Sequence, residues 1–148
     1  MFGMIFEIAA ILFTGIFAGA AIYITLVEHP ARLECGTPIA LTEFRPSYKR
    51  ATILQATVAV LGSASALGAW IGGGEISVLV AGALLGAAVP FTLLVIFPTN
   101  KRLLAPDLHP HSAEAATLLA RWGQLHAVRT AAGTAAFVLL ALEVAGAI

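Results

Sequence analysis

Four apolar segments limit what this chain can be. Residues 5–27, 53–71, 76–97 and 128–148 run with almost no charge. Each is close to the ~20 residues with which a helix crosses ~30 Å of hydrocarbon. Backbone amides find no water in lipid, so segments of this kind must satisfy their own hydrogen bonds as helices. Four helices can share one core. The expectation is therefore an all-α fold: a four-transmembrane-helix antiparallel bundle forming a single integral membrane domain over residues 1–148. Composition agrees, with 59% hydrophobic and 11% charged residues, where soluble domains carry about a quarter charged. A soluble chain this short has too little interior to hide so much apolar surface.

Formal net charge is zero. With no basic stripe interleaved with aromatics, nucleic acid is excluded as a partner. Cys35 is alone, which rules out an internal disulfide and a Cys/His zinc spacing. The opening "MFGMIFEIAA" lacks a basic n-region, and its apolar run outlasts a signal peptide, so it reads as a retained span.

The connections are unequal. "GGGE" (Gly72 to Glu75) predicts a tight turn, whereas residues 28–52 and 98–127 are long and polar. Chain reversal puts both long connections on one side. Every basic residue lies in or beside them: Arg32, Arg45, Lys49, Arg50, Lys101, Arg102, Arg121 and Arg129. Basic residues stay cytoplasmic. The protein is thus expected in a cell membrane as a multi-pass chain, its two long connections cytoplasmic and both termini outside. All four histidines fall on that same side. Glu7, Glu75 and Glu143 fall on the other, where the simple reading is solvation at the interface.

Local signals refine the helices. Gly15/Gly19 and Gly82/Gly86 are small-xxx-small pairs, suited to close helix contacts within the bundle or between subunits of a homo-oligomer. Pro90 should kink the third span. Pro30 and Pro98 are expected to limit further helix after the first and third spans. Ser112 can cap a helix that runs into the fourth span, carrying that helix back to about residue 112.

Polar side chains gather at one depth. The first span ends in Thr25, Glu28, His29 and Arg32. Trp122, His126, Arg129 and Gly133 follow a helical stripe at i, i+4, i+7 and i+11, and Tyr48, Thr52, Gln55 and Gly62 form a second. Polar stripes turn away from hydrocarbon, so the expectation is one pocket at the cytoplasmic end. Lys49, Arg50, Lys101 and Arg102 read more simply as snorkelling anchors. Trp122 reads equally as an interfacial belt residue or a pocket wall, and His109 and His111 as loop or cap residues. Arg129 joins an apolar run and wants an anionic partner, either Glu28 or an anionic ligand.

"GAAIYITLVEHPARL", "PFTLLVIFPTNKRL" and "LLARWGQLHAVRT" together resemble the DUF1772 family of small four-helix membrane proteins, also called anthrone oxygenase-like. The positions that carry the resemblance are His29, Pro30, Thr99, Asn100, Trp122, His126 and Arg129. It implies a membrane-embedded oxidoreductase, a monooxygenase that oxidises an apolar aromatic anthrone with dioxygen. Such chemistry proceeds through a delocalised carbanion and needs no flavin or metal, so no cofactor is expected. It asks for a base, for which His29 and His126 are candidates. It asks for an oxyanion partner, for which Arg129 and Asn100 are candidates. Trp122 and Tyr48 can stack on flat rings, with Gln55, Thr99 and Thr25 as further substrate-binding positions. Lipid would deliver the substrate. A second reading makes the cluster a metal site built from His29, His126, Glu28 and Asn100, or a haem site using the two histidines. A third is a non-catalytic small-molecule-binding membrane protein.

Overall fold

The computed structural model describes residues 2–148; Met1, the first residue of the expected 1–148 domain, lies outside them. Four long helices form, α1 (Gly3–Glu34), α2 (Thr37–Ile71), α3 (Ile76–Leu103) and α4 (Ala113–Val144). Each is long and apolar enough to cross a membrane, which is the pattern of a multi-pass membrane protein. They close a four-membered ring in which α1 and α3 each pack on α2 and α4, with little contact across the diagonals. No strand occurs among the described residues. Leu26, Ile71 and Leu94 are among many large apolar side chains left open on the outside, an arrangement costly in water and natural in lipid.

The expected long connections are mostly helix. Residues 35–36, 72–75 and 104–112 separate the four rods. Pro30 and Pro98 do not limit the helices as expected. Proline lacks an N–H and its ring crowds the carbonyl four residues back. Both helices meet this with a wider π-helical turn just upstream, Ile24–Glu28 in α1 and Thr92–Ile96 in α3. His29 N–H donates to the Ile24 carbonyl and Phe97 N–H to the Thr92 carbonyl. The chain then continues helically to Glu34 and Leu103. Near Pro90, regular helix in α3 is interrupted at Ala87.

The breaks that do occur use glycine. Gly36 (φ +85°) separates α1 from α2, and Gly73 (φ +98°) turns α2 into α3; both conformations are strained for residues with a Cβ. Ser112 caps α4 by accepting from Ala115 N–H at 3.1 Å. Arg102 is not a free headgroup anchor. It donates to Glu114 at 2.5 and 2.9 Å and to Asp107 at 2.9 Å, clipping α3 to the linker and to α4. That hydrogen bond from Arg102 holds the Asp107 carboxyl below the ordinary carboxylate range. Lys49, Arg50 and Lys101 are exposed, as anchors should be.

The core changes character along the bundle. At the α2–α3 hairpin end it is built from Ala10, Ala66, Ala69, Val78, Ala81 and Leu140. At the other end it contains Ile24, Phe44, Ile96, Leu103, Leu119 and Trp122. Small residues let the hairpin end close tightly. A Cβ on Gly82 would sit 2.5 Å from the Ala66 Cβ, and one on Gly86 would sit 3.1 Å from Ser63 Oγ. The Gly82/Gly86 stripe therefore serves the α2–α3 contact inside the subunit. Gly15 faces Phe137 of α4, and Gly19 faces open space. Glu143 accepts a hydrogen bond from Ser77, joining α4 to α3 at this end.

Candidate active site

At the aromatic end the π-turn of α1 sets Thr25 against α4. Thr25 Oγ1 lies 3.0 Å from His126 Nδ1 and 2.8 Å from Thr130 Oγ1. Thr130 Oγ1 is 3.2 Å from the same Nδ1 and 3.0 Å from the His126 carbonyl. Two hydroxyls thus fix one edge of a fully buried imidazole. Its other nitrogen, Nε2, is buried and has no protein partner.

His126 forms part of the wall of a narrow recess between all four helices. Aromatic rings give this recess its shape. Phe44 and Tyr48 stack at 5.5 Å with an interplanar angle of 14°, and Trp122 meets Phe44 edge-on at 5.1 Å. Polar groups converge among them. Asn100 donates from Nδ2 to the Tyr48 hydroxyl at 3.0 Å, while its Oδ1 stays unpaired. Trp122 is 6% exposed, which makes it a pocket wall rather than a belt residue.

Arg129 reaches the same recess from α4. It donates to Gln55 Oε1 at 2.5 Å and to Thr92 Oγ1 at 3.3 Å, and its guanidinium lies 5.8 Å from the Phe17 ring. Among the described residues it makes no ion pair. Glu28, expected as its partner, is engaged elsewhere. It pairs with Arg32 one helical turn on and accepts from Ser47 at 2.6 Å, and Arg32 also meets Glu43 at 2.5 Å. A carboxylate four residues before an arginine finds it locally, leaving Arg129 without an anion.

His29 departs from the expected single pocket. Its ring packs on Trp122 at 5.0 Å, and Trp122 packs on His126 at 4.8 Å. His29 borders a second groove between α1 and α4, shared with Thr25, Gly123, Trp122 and His126, and is absent from the wall of the recess. A Cβ on Gly123 would sit 2.5 Å from His29 Nε2, so that glycine makes the space the imidazole fills. Both His29 ring nitrogens lack protein partners. Thr99 is buried but also absent from the recess wall. Gln55 reaches the site through Arg129.

A family model described as anthrone oxygenase matches residues 44–139. The chain belongs to the anthrone oxygenase family. The matched stretch contains Tyr48, Gln55, Asn100, Trp122, His126 and Arg129, and leaves out α1 with Thr25 and His29. Over 62 residues the chain is 42% identical to the anthrone oxygenase tpcL of Aspergillus fumigatus, a match covering 40% of this chain and 38% of that relative. The match therefore spans well under half the length of the curated relative. No solved structure matches the chain.

For an anthrone oxygenase family member the donor inventory matters. Glu28, His29 and His126 do not gather: no group of three or more His, Cys, Asp or Glu suited to a metal occurs among the described residues. Of the set named from the sequence for a metal site, Glu28, Asn100 and His126 line the recess, and His29 joins His126 at the groove. Several contributors carry little sequence signal. Thr130 shows only as the i+4 neighbour of His126, Thr92 is hidden in an apolar run, and Gly123 and Phe44 look like ordinary helix residues.

Proposed function

We propose that this protein is a membrane-embedded oxygenase that converts an anthrone-type polycyclic substrate to the quinone with dioxygen, inside the aromatic recess and without a cofactor. The observation that carries this reading is Arg129: a half-buried cation with no carboxylate partner, in the same cavity wall as a buried imidazole with a free nitrogen. An oxyanion that develops during reaction is the anion this arrangement suits, and fixed donors in a water-poor site stabilise it strongly.

The steps follow from the substrate's chemistry. The methylene between two rings gives a proton to His126 Nε2, and the electron pair delocalises onto the carbonyl oxygen, which faces Arg129. Electron transfer to dioxygen and recombination form the carbon–oxygen bond, and the resulting peroxide takes the proton back from His126. Loss of the second methylene proton to His126 breaks the oxygen–oxygen bond and forms the new carbonyl. The departing hydroxide takes that proton and leaves as water. One anthrone and one dioxygen thus give one quinone and one water. Thr25 and Thr130 hold the imidazole edge, Trp122 and Tyr48 flank the rings, and the free Asn100 Oδ1 accepts from a ring hydroxyl. His29, beyond Trp122, is assigned a positioning role.

The recess end is placed at the cytoplasmic face, with both termini outside, because all eight basic residues lie toward that end. The test is oxygen uptake by the reconstituted protein with a dihydroxyanthrone, corrected for spontaneous oxidation. His126→Ala should abolish enzyme-dependent uptake and His29→Ala should lower it less. Uptake unchanged in His126→Ala would remove the base from this proposal.

A further inference from the structure

A second cavity adjoins the recess. It is a narrow, open-sided cleft bordered by Ala56 and Ala59 of α2, Ala88 and Leu93 of α3, and Phe17 of α1. It shares Thr52, Thr92 and Arg129 with the recess, so the two spaces meet at the guanidinium. Its position follows from the packing of α2 on α3. Toward the hairpin those helices touch through Gly82 and Ala66. Regular helix in α3 breaks at Ala87, and a π-turn follows at Thr92–Ile96. The cavity occupies the seam between these features. Ala56 and Leu93 at its mouth are exposed on the surface that the membrane covers. The lining is thus mostly apolar, three alanines beside Phe17, Val89 and Leu93, and the inner end carries a cation and the Gln55 amide.

We infer that this cleft is a lateral port through which a flat, lipophilic molecule bearing one anionic or acidic oxygen passes from the bilayer to the recess, rings in the cleft and oxygen toward Arg129. The inference rests on the proposed function for its substrate but not for its binding test. An apolar body suits alanines and a phenylalanine, and an acidic oxygen suits the unpaired guanidinium. A neutral hydrocarbon gains nothing from Arg129, and a free inorganic anion gains nothing from the cleft. Ala56 then sets the width that is admitted.

Binding kinetics, followed by stopped-flow fluorescence, separate this from turnover. The probe is a dihydroxyanthraquinone, which is already oxidised. The protein is the full chain in lipid nanodiscs carrying Trp70→Phe, so that Trp122 quenching reports occupancy of the recess. In the series Ala56→Val, Ala56→Leu, Ala56→Phe the association rate constant should fall stepwise, by about tenfold or more for Phe. Val60→Phe, on the exposed face of α2 and outside the cleft, should bind as the parent does. Ala56 is at the surface, so the series keeps the fold, and unshifted melting confirms that for each variant. Equal association rates across the Ala56 series overturn the port. An equal slowing in Val60→Phe overturns it too. Absence of anthrone turnover in the parent protein would overturn the oxygenase reading alone and leave the binding result standing.

Discussion

Replacing Arg129 and Gln55 together separates a structural arginine from a functional one. Arginine at the centre of a membrane span costs about 2.5–3.5 kcal/mol on insertion scales, an upper bound for Arg129 near the cytoplasmic end of its span. Here the compensation is a charge-assisted hydrogen bond to Gln55 at 2.5 Å, with a longer one to Thr92 at 3.3 Å. A hydrogen bond to a charged group returns about 1.5–3 kcal/mol, so the arginine is close to neutral for stability. In Arg129→Met alone, Gln55 loses its donor while its own amide nitrogen already lacks a partner. Leaving that amide unsatisfied should cost about 1–3 kcal/mol. The double variant Arg129→Met/Gln55→Leu removes both members, and replacement of a buried polar pair by apolar residues is often neutral or stabilising. It should therefore melt within about 1 kcal/mol of the parent or above it. Oxygen uptake should still fall by about a hundred- to a thousandfold in both variants, the loss typical of removing an oxyanion donor. The assays are thermal unfolding in detergent micelles and oxygen consumption with a dihydroxyanthrone. A double variant as unstable as the single one would make the arginine structural, and uptake near the parent level would refute its role in stabilising charge.

Three further outcomes are expected. His126→Ala should lower uptake by about two to four orders of magnitude, the usual range for a general base, and Thr25→Val should lower it less while leaving the melting temperature close to the parent's; the reverse ranking would point to the threonine rather than the imidazole. Gly123→Ala should destabilise by about 1–3 kcal/mol through overpacking against His29, and adding His29→Ala should relieve that loss, as unfolding measurements on the two variants would reveal. Cys35, single and exposed in the break between α1 and α2, should react with a membrane-impermeant maleimide in inverted vesicles and resist it in intact cells; labelling of intact cells would reverse the assigned orientation.

The four rods are legible in the sequence because length and apolarity decide a membrane helix with little help from packing. Their ends are not. Pro30 and Pro98 read as stops under α-helical rules, but a π-turn absorbs each of them. Thr25 and His29 keep a common side of α1, facing α4 across one groove as their spacing predicts, but they meet it a turn apart: Thr25 meets His126 while His29 meets Trp122 and Gly123. On α4 the backbone is regular, and the stripe of Trp122, His126 and Arg129 emerges as spacing predicts. Glu28 takes Arg32 rather than Arg129 because a partner one turn away on the same helix is favoured over a more distant one on α4. Gly123 gives no warning, since a glycine that makes room for a ring looks the same in a string of letters as one that does not.

The tight seam where Gly82 meets Ala66 has a directional consequence. It closes the α2–α3 seam toward the hairpin, while the cleft opens on that seam further from it. If the cleft is the way in, cargo dissolved in the leaflet on the hairpin side would have to flip across the bilayer before uptake. Product would then return to the leaflet that supplied the substrate, and the two sides of one membrane would act as separate reservoirs.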